Sequence, residues 1–86
     1  MRIEVTAEDV SAGIIRSWSW NPVARAIRRA MPSSDPVLSG EWWWLLLKGE
    51  RVRVAAPRSA VEALAAFHKG KGMRPFALDV ASESDP

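Results

Sequence analysis

The sequence predicts an α+β domain: a small antiparallel sheet with a central hairpin, helices packed on one face, and the element order β-α-α-β-β-α-β. Three observations lead there. Short segments near both ends alternate apolar and polar residues, the period of a half-buried strand. Helical stretches begin and end on capping signals. Between them lie two apolar arms joined at a glycine, the pattern of a hairpin. A chain of 86 residues without an internal repeat makes one domain. That domain is placed at residues 1–80, with residues 81–86 as an acidic tail expected to fray.

Each element has its own reason. Arg2-Ile3-Glu4-Val5 alternates, so Ile3 and Val5 share one face. Thr6-Ala7-Glu8-Asp9 is a capping pattern whose acids suit the positive end of a helix, and Gly13 is its natural stop. Residues 14–20 show no clean period and read as a connector with apolar anchors, Trp18 and Trp20 among them. Asn21-Pro22 opens a second helix, with Asn as N-cap and Pro at the first helical position. In it Val23, Ile27, Ala30 and Met31 form the expected apolar stripe, with Arg25, Arg28 and Arg29 opposite. Pro32 ends that helix, and Ser33 to Pro36 form a loop.

The hairpin is expected over residues 37–56. Its first arm runs from Val37 to Lys48 with a bend or bulge near Gly40, and its second from Arg51 to Ala56. A Gly49-Glu50 turn would set Leu47 opposite Val52 and Leu45 opposite Val54. One face then collects Trp43, Leu45, Leu47, Val52, Val54 and Ala56. The other collects Trp42, Trp44, Leu46, Arg51, Arg53 and Ala55. Pro57 breaks the second arm, and Ser59 with Glu62 reads as a capping box. The third helix should run to about Lys69 and stop at Gly70, with Ala60, Val61, Leu64 and Phe67 inward and His68 at the stripe's edge. A last strand begins near Phe76, with Phe76, Leu78 and Val80 on one face.

Composition excludes several chemistries. There is no cysteine, so no disulfide, thiolate metal site or cysteine nucleophile is available. One histidine cannot build a multi-histidine metal centre. The longest apolar run, Trp42 to Leu47, is far short of the roughly 18–20 residues of a membrane span. The first residues alternate and carry acid, the pattern of a strand and not of a secretion signal, and a cytoplasmic location is expected. Lys69-Gly70-Lys71-Gly72 lacks the spacing and flanking strand of a phosphate loop. Glu41, Glu50 and Glu62 are scattered over a strand start, a turn and a helix start. His68, near a helix C-terminus, reads as a complement to the dipole. No catalytic residue, metal or cofactor is assigned.

Two features remain as candidate binding sites. Five tryptophans stand beside two phenylalanines and no tyrosine. On the hairpin, Trp43 points inward while Trp42, Trp44 and Leu46 share the other face with Arg51 and Arg53. A two-layer fold covers one face of a sheet, so the second face has the composition of a protein-binding hot spot. It also suits base stacking. Trp18 and Trp20 decide whether it is open or covered. The second feature is charge. Residues 16–74 hold eleven bases against four acids, while the ends are acidic. Arg25, Arg28 and Arg29 on one helix give nucleic acid as the second reading after protein.

Asn21-Pro22-Val23-Ala24-Arg25-Ala26-Ile27-Arg28-Arg29-Ala30 and Arg74-Pro75-Phe76-Ala77-Leu78-Asp79-Val80 resemble segments of a group of short uncharacterised proteins of actinobacteria and their phages. Those proteins start with a strand and a cap like Thr6-Ala7-Glu8-Asp9. They carry a Pro-Val-Ala-x-Ala-[Ile/Leu]-Arg-Arg helix and end on an Arg-Pro-Phe strand. Many have cysteine before the proline, where Asn21 stands here. The resemblance implies no particular activity. It implies a phage origin, and with it an effector or inhibitor that docks on a host protein in the host cytoplasm. A second copy of the chain is another occupant for the tryptophan face.

Overall fold

Residues 2–80 are described by the computed structural model of the chain; the tail expected at 81–86 lies outside the described residues. Strand β1, Arg2–Val5, buries Ile3 and Val5 and exposes Arg2 and Glu4, as the alternation requires. It pairs antiparallel with β5, Phe76–Asp79, setting Ile3 opposite Leu78. Helix α1, Ala7–Ala12, closes on the predicted Thr6 cap. The Thr6 hydroxyl accepts from the Asp9 N–H, and the Asp9 carboxylate accepts from the Thr6 N–H. Gly13 ends it, and a Cβ there would sit 2.5 Å from the Pro22 ring, so only glycine lets the two helices approach.

Helix α2, Pro22–Ala30, starts where Asn21 was expected to cap it. Buried Asn21 accepts from the Ala24 N–H and donates to the Ser17 carbonyl. The buried side is Val23, Ala24, Ala26 and Ile27. The expected stripe is corrected at Ala30, which is exposed. Met31 caps the helix in non-helical dihedrals and still packs, half-buried, against the core.

The predicted long hairpin is a three-stranded meander: β2, Val37–Ser39, β3, Trp42–Leu47, and β4, Glu50–Ala55, in the order β2-β3-β4. The first arm is two strands, since Gly40 with φ +64° turns the chain back instead of bending it. The element order therefore gains a strand, β-α-α-β-β-β-α-β, within the α+β class. The β3–β4 turn is Lys48-Gly49, not Gly49-Glu50. Both residues have positive φ, 52° and 82°, as a type I′ turn requires. Pairing accordingly sets Leu45 opposite Val52 and Trp44 opposite Arg53. Moving the turn back by one residue shifts the pairing by two, so the two predicted faces keep their members from Trp42 to Ala55.

Helix α3, Arg58–His68, packs Ala60, Leu64 and Phe67 inward, with Val61 half-buried. The Ser59–Glu62 capping box does not form. Pro57 already holds helix-compatible φ, and its carbonyl accepts from the Ala60 and Val61 N–H groups, so the helix begins before Ser59. Glu62 instead lies 3.7 Å from Arg58, one turn back. Gly70, at φ +82°, closes the C-terminus by donating to the Phe67 carbonyl.

One core joins these parts: Ile3 and Val5, the inner side of α2, Leu38, Trp43, Leu45 and Val54 from the meander, Ala60 and Leu64 from α3, and Leu78 and Val80. At its rim lies a buried charge. Asp9 is fully buried on α1, and Arg29 donates to both its oxygens at 2.6 and 2.8 Å. Arg29 also donates to the Glu4 carbonyl, and Arg25 stands 3.7 Å from Asp9. The cluster ties α1, α2 and β1 together.

Burial alone would push the Asp9 carboxyl upward. Hydrogen bonds from Arg29 and the Thr6 backbone outweigh it and hold the pKa below the ordinary value. A lowered folded-state pKa contributes stability that is present above the unfolded value of about 3.9 and is lost as pH falls through the folded one. Asp9→Ala removes a charged hydrogen-bond acceptor from Arg29 and Thr6, which can still reach water, and should cost about 1–3 kcal/mol in urea denaturation at pH 7. The deficit against the parent should shrink as the pH is lowered below about 4, where the parent loses the same charge.

Candidate binding face

The outer face of the meander is built by strand parity. Trp43 is 0% exposed between Trp42 at 48% and Trp44 at 39%. Leu46, Arg51, Arg53 and Ala55 lie on the same outer side as these two, and all but half-buried Leu46 are exposed. Trp42 stands opposite Ala55, and the Arg53 guanidinium reaches diagonally across to lie 4.3 Å from the Trp42 ring centroid.

Trp18 and Trp20 leave this face open. They are themselves 59% and 50% exposed. The Trp18 carbonyl accepts from the Leu38 N–H and so occupies the outer edge of β2. Trp20 lies under the Arg28 guanidinium at 4.0 Å, and Arg28 also donates twice to the Ser19 carbonyl.

The sequence reading missed the residue that joins these groups, Asp35. It has φ +43°, in the loop before Pro36. Its carboxylate accepts from Arg51 at 3.1 Å and lies 3.8 Å from Arg28, and its carbonyl also accepts from Arg51. Trp20, Arg28, Asp35 and Arg51 therefore form one run of stacked and paired groups, and Arg53 with Trp42 forms a second stack on the same outer face as Arg51. Two guanidiniums meet the carboxylate and a third lies on Trp42, so the two runs together carry net positive charge. The signal available in sequence was an Asp-Pro loop, which marks a turn but not a charge partner.

The helix arginines separate. Arg25 and Arg29 face Asp9 on one side, and only Arg28 joins the tryptophans. His68 is not a cationic complement to the α3 dipole. Its Nδ1 accepts from the Arg16 N–H at 2.8 Å, and burial pushes its pKa down, so the neutral ring is favoured. Arg16 holds φ 66° at that bond, so His68 pins the turn that leads to Trp18.

Beside Trp42 a shallow groove of about 260 Å³ runs to the start of α3, between Ala55, Ala56 and Val61, with Glu41, Arg58 and Glu62 at its rim. Among the described residues no three acidic or histidine side chains cluster as a metal site, and no helix is long and apolar enough to cross a membrane.

Parity separates neighbouring tryptophans in stability. Trp43→Ala should cost about 3–5 kcal/mol. Trp42→Ala and Trp44→Ala should each cost about 1 kcal/mol or less, within the range of a surface cation–π contact. Equilibrium unfolding of the three variants measures the difference. Compared with known protein families, curated proteins and solved structures, the chain finds no match.

Proposed function

We propose that this chain is a non-enzymatic protein-binding module that docks through the outer face of its meander, with Trp42, Trp44 and Leu46 as apolar anchors and Arg51 and Arg53 as polar ones. The observation that supports it is the placement of the tryptophans. Trp43 is the one tryptophan in the core, and four further indoles are exposed, two of them under guanidiniums. Tryptophan and arginine are the residues that dominate protein-binding hot spots. An exposed aromatic strand also carries an aggregation hazard, which a partner that covers it removes. A phage effector acting on a host protein is the setting that the sequence resemblance suggests for such a module.

Nucleic acid is the second reading. The pairing of Arg25 and Arg29 with Asp9 takes two of its candidate contacts away from it. What supports it still is Trp44 beside Arg53 and Arg51, a stacking group next to cations.

The test is capture of a partner on immobilised protein, with the Trp42→Ala/Trp44→Ala double variant alongside. The partner retained by the parent should be lost from the variant, while circular dichroism shows the fold intact. Equal retention by both contradicts the reading. Binding to single-stranded oligonucleotide that weakens steeply with salt would favour nucleic acid instead.

A further inference from the structure

The free edge of β4 extends the binding face, and its hydrogen-bond phase is set by the turn. In a two-residue hairpin the pair flanking the turn is hydrogen-bonded, and bonded and non-bonded pairs then alternate. Leu47–Glu50 is that flanking pair, so Val52 and Val54 also bond toward β3. The Ala56 N–H donating to the Glu41 carbonyl fits the same phase. Arg51, Arg53 and Ala55 therefore turn their backbone N–H and C=O groups outward. Among the described residues no backbone group bonds to them from that side. The opposite edge differs: Leu38 on β2 already donates to Trp18.

The residues with outward backbone groups are the ones whose side chains lie on the Trp/Arg face. A strand added antiparallel to β4 would form narrow pairs with Arg51 and Arg53, placing its own side chains next to theirs on that face. Charge complementarity demands acid there. Arg51 already shares Asp35, while Arg53 has the Trp42 ring and no carboxylate among its described contacts. The residue between the two acids would point to the other face beside half-buried Val52, and should be apolar. Self-pairing of β4 is disfavoured, because any antiparallel register that keeps this hydrogen-bond phase and overlaps most of the strand puts arginine opposite arginine.

We propose that the β4 edge takes an extended acidic segment of a partner protein as an added strand, with carboxylates at alternate positions flanking an apolar residue. This rests on the protein-binding reading of the face and specifies its ligand.

The probe is a blocked, fluorescein-labelled peptide of alternating aspartate and valine, with lysine-for-aspartate and block-ordered peptides as controls. Fluorescence anisotropy should show saturable binding of the alternating acidic peptide that weakens with salt, and neither control should match it. Ala55→Pro removes an outward N–H without touching the β3 ladder or any charge. It should weaken binding at least about fivefold, the worth of one hydrogen bond. Arg53→Ala should weaken it further, since a charge-assisted contact is lost. Absence of binding by the acidic peptide, or equal binding by Ala55→Pro protein and by the block-ordered peptide, overturns the edge proposal. If partner capture still depends on Trp42 and Trp44 in that case, the face reading stands without it.

Discussion

Three consecutive tryptophans on one strand cannot all be buried on one side, and the rest of the molecule follows from that. Side chains alternate with a period of two along a strand, so burying Trp43 obliges Trp42 and Trp44 to face away. A slip of one residue against a fixed partner would reverse the choice and push Leu45 out of the core as well. The Lys48-Gly49 turn prevents this by fixing which residues of β4 sit opposite β3. Val52 and Val54 are then delivered to the inner side with Trp43 and Leu45, and Arg51 and Arg53 to the outer side with Trp42 and Trp44. Core and binding face are two sides of one register.

Charge is partitioned by the same economy of space. The chain is basic through its middle, yet the guanidiniums are not spread evenly over solvent. Arg25 and Arg29 are drawn to buried Asp9, and hydrogen bonds from Arg29 and Thr6 outweigh the cost of burying its carboxylate. Arg28, Arg51 and Arg53 lie along the exposed indoles, with Asp35 between two of them. The first group holds helices to a strand. The second decorates the face that the sheet leaves open.

Local signals in the sequence specified local structure well. The Thr6 box, the Asn21-Pro22 start, Gly13, Gly70 and the alternation near both ends each appear in the fold where residue chemistry placed them. The membership of the hairpin faces was also legible, because the pairing moved by two residues, one full period of a strand. Other features depend on competition between neighbours. Gly40 and Lys48 both permit turns that the apolar run alone does not mark, so the first arm split and the register moved. Pro57 pre-empted Ser59 as the start of α3. The Asp9–Arg29 clamp and the Asp35 bridge join residues far apart in sequence, and no periodicity reports such contacts. Trp20 under Arg28 belongs to the same class, since its segment has no regular period to read.

Four indoles stand exposed to solvent and one does not. The direct measurement is fluorine NMR of protein labelled with 5-fluorotryptophan, assigned by single substitutions, in the presence of a soluble paramagnetic agent. The account predicts that the resonances of Trp18, Trp20, Trp42 and Trp44 broaden strongly at low protein concentration while that of Trp43 is spared. Protection of Trp42 and Trp44 to the level of Trp43 would mean the outer face is covered within the monomer, and would contradict the account.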